Sequence, residues 1–361
     1  MKRELIQSTQ HDFNIDILRL AAMLMVVILH VARTSGALDL SLDRNFSGKM
    51  WSNLWESLTI YAVNIYALIT GYLCYRRAWV PNRFFYLWGI VLFYGLGIEL
   101  LHYIFLEQGI SYTTLLSLII PTSDYYWYVS AYTVLFFLIP FINKLIDCLD
   151  QKAHFKLILM FVCTLSIPAF YGAARLAQDG HNALWLIVMY ICGAYIQLYP
   201  PKKIKLRIWV ILYITCVIAA FATLILGGKI EIIYFRRYTS PVVFMGAIAF
   251  FMICIGIPLK GNKYLKIFSW MSPLAFSVYL IHCHHHIWQQ MNTWLSHYGN
   301  ICKYEWWFIP VTSIIIFIVC ILADCFRVYL FKLLKVKEVS IKITDVIIRI
   351  INHTVTRLMK S

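Results

Sequence analysis

Residues 14–30 read NIDILRLAAMLMVVILH. Arg19 and His30 bracket ten residues without a charge. At ~1.5 Å of rise per residue, the run 17–33 approaches the length a helix needs to cross the ~30 Å hydrocarbon core of a bilayer. A cleavable leader would also begin with basic residues and an apolar run. Here Arg19 and His30 interrupt that run and no A-x-A site follows, so the stretch is read as an uncleaved first span.

Nine more stretches of the same kind follow, with cores at 54–74, 84–106, 125–142, 155–174, 182–199, 208–226, 241–258, 268–288 and 306–330. They predict an all-α, polytopic membrane helix bundle of about ten transmembrane helices, with both termini cytoplasmic. The segment 112–120 is shorter and reads as re-entrant or interfacial. Composition agrees: of 361 residues 61% are hydrophobic and 14% charged, which leaves too little polar surface for a soluble domain.

The net charge of +15 could suggest nucleic acid, but its distribution argues against it. With the N-terminus inside and ten alternating spans, 24 of the 32 lysines and arginines fall on the inner side and 8 on the outer. That asymmetry is the positive-inside pattern, so the basic excess reports orientation. The expected partner is the lipid bilayer, with no nucleic acid.

The chain divides into a membrane domain, 1–333, and a tail, 334–361. In the tail Ile343, Val346, Ile347, Ile350, Ile351, Val355 and Leu358 recur at helical spacing among Lys342, Arg349 and Arg357. Such a basic amphipathic helix suits the cytoplasmic membrane surface. The ten cysteines are irregularly spaced, contain no C-x-x-C pair, and read as small apolar residues. The longest outer loop, 34–53, offers only Asp39 and Asp43 as acids.

Charged groups inside a bilayer are costly unless paired or hydrated, so each is a functional candidate. Arg19 and His30 are eleven positions apart, about 20° past three full turns, and thus share one helix face about 16 Å apart along its axis. Asp16, one turn before Arg19, can pair with it. A guanidinium at the inner mouth suits a phosphate-bearing molecule, and a deeper imidazole suits general-base work on a hydroxyl. Each alone has an ordinary explanation: Arg19 snorkels to the interface, and His30 bonds a backbone carbonyl.

Further elements follow in order: Gly71-Tyr72 ending the second span, Arg76-Arg77 and then Arg83 before the third, Tyr126-Trp127 at the fourth, and Tyr279 with His282 in the ninth. In order and spacing they resemble the acyltransferase-3 family of membrane proteins, from Asn14 to about Asp324. That family includes bacterial O-acetyltransferases of surface polysaccharides. The resemblance implies transfer of an acyl group, acetyl first, from acyl-CoA to a hydroxyl of a saccharide or lipid-linked saccharide. It implies acetyl-CoA (or another acyl-CoA) as donor substrate, no bound cofactor, and a multi-pass place in a bacterial plasma membrane. Arg19 and Arg83, with Arg76 or Arg77, would hold the donor phosphates. His30 would deprotonate the acceptor or carry the acyl group transiently. Trp127, Tyr279 and His282 would line the passage or touch acceptor.

Two positions depart from the family pattern. An arginine-x-x-arginine pair is common at the third span, but Arg83 is followed here by Tyr86. A histidine often precedes the tryptophan of the fourth span, and here Tyr126 stands there.

Three smaller groups remain. On a continuous helix His282, His285 and His286 share a face, but no carboxylate flanks them, so the run reads as a hydrated outer-mouth cluster rather than a metal site. Glu99 and His102 read as a mutually satisfied i, i+3 pair, as do Asp324 and Arg327. Against acyl transfer stand two other functions. A multi-span exporter of a glycan or small metabolite fits ten spans, although no internal repeat is present. A membrane glycosyltransferase would need an acidic base or a metal-binding acidic motif, often in a sizeable outer loop, and the longest one here offers only Asp39 and Asp43.

Overall fold

The structure, a computed structural model, describes residues 12–35, 46–106, 109, 111–171, 175–201, 204–226, 236–259, 261–302 and 305–359. Asp39 and Asp43 lie outside the described residues. Among the described residues every regular element is helical and there is no strand.

The first span forms helix α1, Phe13–Thr34, and its start is set by Asp12, whose carboxylate accepts from the Asn14 and Ile15 amides. That cap satisfies backbone donors that would otherwise be orphaned. Two thirds of its apolar window is buried inside the protein, against 17% for Leu206–Thr223, so α1 is a central helix and not a lipid-facing one. Its Arg19 end is tied to the loop after residue 254: the Asn14 side-chain amide donates to the carbonyls of Cys254 and Ile257 at 2.6 and 2.7 Å.

Among the described residues seven helical stretches are long and apolar enough to span a bilayer, and Ala183–Leu198 and Pro241–Gly256 are shorter apolar helices. The expected fifth span is not one helix. It consists of Gln151–Phe161, a π-helical turn Val162–Ser166 and a 3-10 turn Pro168–Tyr171. Pro168 cannot donate to the helical ladder and its ring clashes with the preceding turn, so the regular helix ends before it. The second span is also divided, into α2, Phe46–Thr59, and α3, Ala62–Cys74. The stretch 112–120 forms a short helix, Tyr112–Ile119.

The ninth segment departs most from expectation. It runs as α11, Lys263–Met271, a 3-10 turn Ser272–Leu274, and α12, Ala275–His282, and then breaks. A new helix, α13, begins at His285 and runs to Ile301. His282, His285 and His286 therefore do not share the face of one helix.

Close helix approach fixes part of the bundle. The helix α8, Ala183–Leu198, lies directly on α3: a Cβ on Gly71 would stand 2.0 Å from the Tyr190 carbonyl oxygen, and one on Gly193 would stand 2.2 Å from that of Leu68. Only glycine allows these backbones to touch, as is usual where apolar helices pack without a hydrophobic drive in lipid. Gly71 thus has a packing role. Outward, Ile211, Ile218, Leu322 and Phe326 are exposed, as lipid-facing side chains must be.

In the last span, α14, Phe308–Leu333, Asp324 and Arg327 form a buried ion pair: Arg327 Nε donates to Asp324 Oδ1 at 2.8 Å. Tyr94 OH donates to the same oxygen at 2.6 Å, and Arg327 Nη1 reaches Tyr86 OH at 3.4 Å. Tyr86 thus receives a guanidinium from the last span where an arginine pair was looked for. Lys335 then takes a left-handed turn (φ 52°) into α15, Val336–Leu358. Its early residues Ser340 and Thr344 are buried, while Ile350, Ile351, Val355 and Leu358 are exposed.

Candidate active site

Two cavities run along α1. The first, about 300 Å³, is lined by Arg19, Arg77 and Arg83 together with Trp79, Tyr132 and Phe136. Its walls follow from sequence. Pro140 sits inside the helix α6, Trp127–Asp147, and has no N–H for the carbonyl four residues earlier. That carbonyl, of Phe136, accepts instead from Trp79 Nε1 at 2.9 Å, which pins the loop between Arg77 and Arg83 against α6. Arg19 is held from both sides: Asp16 Oδ1 lies 3.7 Å from its Nη1, and Tyr66 OH donates to its carbonyl at 2.8 Å. The guanidinium stays one third exposed, free to meet an anion.

The second cavity, about 60 Å³, is lined by His30, Trp127, Tyr238, Tyr279, Leu29 and Val63, among others. Tyr66, Tyr128 and Phe276 belong to the walls of both cavities, so three aromatic rings form the neck between them. Asn64 supports this chamber from behind: its amide donates to the Tyr238 carbonyl at 2.8 Å and its oxygen accepts from Trp185 Nε1 at 2.9 Å.

His30 Nδ1 and His282 Nε2 are 2.8 Å apart. The other nitrogen of His282, Nδ1, is 2.5 Å from the carbonyl of Val278. A carbonyl can only accept, so His282 Nδ1 carries the proton and its Nε2 is a lone pair. His30 must then donate through Nδ1–H, which leaves its Nε2 as the free base. One backbone carbonyl thereby sets the tautomers of both rings. A base held by a second, oriented group is the arrangement on which general-base and nucleophilic catalysis depend. Trp288 packs edge-on against His30 at 5.0 Å between centroids, and Cys283 Sγ lies 3.4 Å from both interacting ring nitrogens.

Beyond this dyad, at the end of the bundle away from the arginines, the helix α4, Asn82–Leu106, brings Glu99 to the break in the ninth segment. His286 Nε2 is 3.1 Å from Glu99 Oε2. His284 Nε2 lies 3.2 Å from the Gly95 carbonyl, to which it donates, so Tyr125 turns its own O–H toward Glu99 Oε1 at 3.2 Å. Glu99 and His102 are thus not each other's partners. His102 stacks on His286 instead, with centroids 3.5 Å apart.

The residues singled out in sequence divide clearly. Arg19, Arg77 and Arg83 meet at one cavity, and His30, Trp127 and Tyr279 at the other. His282 bonds His30 from behind. Arg76 is absent from the described lining of the arginine cavity. Tyr126, where the family often has histidine, donates its hydroxyl to the Leu280 carbonyl at 2.9 Å and so steadies α12. Sequence reading passed over Tyr66, Tyr128, Phe276 and Tyr238. Aromatic residues are plentiful in this chain, and nothing in their spacing marks those that form a neck. It also missed Glu99 as a neighbour of the histidine run, 185 or more positions away.

Comparison with known proteins gives one family match: the sequence model described as an acyltransferase domain covers residues 12–325. No curated protein and no solved structure matches the chain significantly.

Proposed function

The chain belongs to the acyltransferase-3 family and is a membrane acyltransferase, and from that premise we propose that it moves a short acyl group, acetyl first, from acyl-CoA to a hydroxyl of a saccharide or lipid-linked saccharide. The observation that carries this reading is the pair of cavities meeting at one aromatic neck, with guanidinium groups on one side and the free nitrogen of a hydrogen-bonded histidine on the other.

The donor is an anion with a long flexible arm ending in a thioester. Its phosphates suit Arg19, Arg77 and Arg83, since guanidinium binds phosphate oxygens through paired N–H groups. The arm would pass between Tyr66, Tyr128 and Phe276 and bring the thioester to His30. A chamber of about 60 Å³ has room for only a few water-sized groups, which favours acetyl over longer acyl chains. His30 Nε2 would remove the acceptor's hydroxyl proton as oxygen attacks the thioester carbonyl. The tetrahedral intermediate then collapses with expulsion of the CoA thiolate, which takes up a proton. Tyr279 and Trp127 face the acceptor's side of the chamber.

The topology follows the charge distribution: the arginine cavity opens to the cytoplasm of a bacterial cell, and the exposed apolar side chains of α15 rest on the inner leaflet. The test is His30→Ala. Membranes of the native host carrying this variant at normal expression lose acyl transfer to their glycans, read by mass spectrometry. Retained transfer in that variant sinks the proposal.

A further inference from the structure

Four carboxylates are buried among the described residues: Asp16, Glu56, Glu99 and Asp324. Three of them have a guanidinium within ion-pair distance: Arg19 beside Asp16, Arg33 and Arg236 beside Glu56, and Arg327 beside Asp324. Glu99 differs. Its ion-pair neighbours among the described residues are three imidazoles, of His284 (3.8 Å), His285 (4.0 Å) and His286 (3.1 Å). An imidazole, unlike a guanidinium, is not permanently charged, and a carboxylate buried in an apolar span needs a positive partner to be tolerated there.

We propose that Glu99, His285 and His286 bind a divalent transition-metal ion of the zinc type, away from the cavity lined by Arg19, Arg77 and Arg83. Nitrogen and carboxylate donors at ~2.0–2.2 Å from zinc stand about 3.4 Å from one another in a tetrahedron. The three donor atoms here already lie within 4.8 Å of one another, with the His286–Glu99 edge at 3.1 Å. The edge from His285 to Glu99 is longer, at 4.0 Å, and involves a side chain 47% exposed, whose ring is free to turn inward. The same exposure leaves a fourth position for water. Supporting contacts are in place as well. The Tyr125 hydroxyl donates to Glu99 Oε1, and the stacked His102 ring (7° between planes) fixes the plane of His286. Such outer partners orient metal ligands and tune their affinity.

The ion would join α4 to the first turn of α13. Between α13 and α12 lie only Cys283 and His284, so the metal would anchor the very break that points His282 at His30. This inference stands on the donor geometry around a buried carboxylate that has no guanidinium beside it among the described residues, and it is independent of the acyltransferase reading.

A second trio, His30, His282 and Cys283, also brings its donor atoms within 4.8 Å. There the 2.8 Å bond between the rings and the Val278 carbonyl satisfy the interacting nitrogens, and no carboxylate awaits a charge.

The experiment uses the full-length protein, purified in detergent on a tag without histidine, stripped with chelator and titrated with Zn²⁺ alone. The expected result is one zinc per chain by mass spectrometric metal analysis, with a rise in melting temperature that chelator reverses. His285→Gln, at an exposed position, weakens zinc binding tenfold or more, and the isosteric Glu99→Gln does the same. Cys283→Ala leaves it unchanged. Cobalt substitution gives tetrahedral visible bands without a thiolate charge-transfer band. Zinc content far below one per chain would overturn the proposal. So would equal affinity in His285→Gln and the parent, or a thiolate band lost in Cys283→Ala.

Discussion

His282→Ala separates the two roles assigned to the histidine pair. In the resting site His30 Nδ1–H donates to His282 Nε2 at 2.8 Å, a bond between neutral groups worth about 1 kcal/mol. When His30 Nε2 takes the acceptor's proton, the same bond is donated by an imidazolium and rises to about 1.5–3 kcal/mol. The difference, about 0.5–2 kcal/mol, is stabilisation that exists only in the transition state. At ~1.36 kcal/mol per decade it is worth roughly 2–30-fold in rate. Removing His282 also frees His30 to hold its proton on Nε2, where it is no longer a base, and this raises the expected loss to about 10–100-fold. Fixing a wrong tautomer costs as much as ~10⁴ in a serine protease triad, but alanine only releases the ring and does not lock it. The assay is acyl transfer from radiolabelled acetyl-CoA to endogenous acceptor in membranes of the native host, with variants matched for expression. kcat should fall in His282→Ala while KM for acetyl-CoA stays near the parent value, because His282 does not line the arginine cavity. His282→Gln, whose amide oxygen can accept, should recover part of the loss. An unchanged rate in His282→Ala would refute the reasoning. So would a rate as low as that of His30→Ala, since His282 would then be the base.

Other expectations concern donor binding and the scaffold. Arg83→Ala removes one charge-assisted phosphate contact of about 1.5–3 kcal/mol and should raise KM for acetyl-CoA about 10–100-fold, whereas Arg76→Ala should leave it within about twofold; equal effects of the two would contradict the cavity assignment. Gly71→Ala drives a Cβ into the Tyr190 carbonyl, which cannot give way like a side chain, so it should cost at least ~1–3 kcal/mol, seen as lower expression and melting temperature in detergent. Gly97→Ala, with open space at its Cβ, is the control that should be silent. Arg327→Met strands Asp324 in an apolar span and should destabilise by about 3–5 kcal/mol, while adding Asp324→Leu should restore most of the loss; a double variant no better than the single would show the pair is not the cause.

How much of this was legible in the sequence depends on the range of each interaction. The shared face of Arg19 and His30 was readable because a helix fixes relative direction over eleven residues. The Asp16–Arg19 and Asp324–Arg327 pairs were readable for the same reason. The ninth segment was misread at its end because Cys283 and His284 carry no proline or glycine to announce a break, and the apolar run continues through Ile287 and Trp288. That one error hid two facts: His282 faces His30, and its neighbours face Glu99. Neither partner is local, and a single sequence gives no direction across 187 or 252 positions. Arg76 and Arg77 were indistinguishable as adjacent charges. Only the Trp79–Phe136 bond, set up by Pro140, helps decide how that loop meets the cavity.

The neck of Tyr66, Tyr128 and Phe276 has a consequence for the cell rather than for the reaction. A protein that takes its donor from one compartment and its acceptor from the other must contain most of a channel. Left open, such a path would let ions run down the gradients on which the cell lives. On the proposed function, the three rings that line both cavities would close around the donor's slender arm and leave a hydrated ion without the water it needs. On that reading an acyl group crosses the membrane's insulating layer without the layer being punctured.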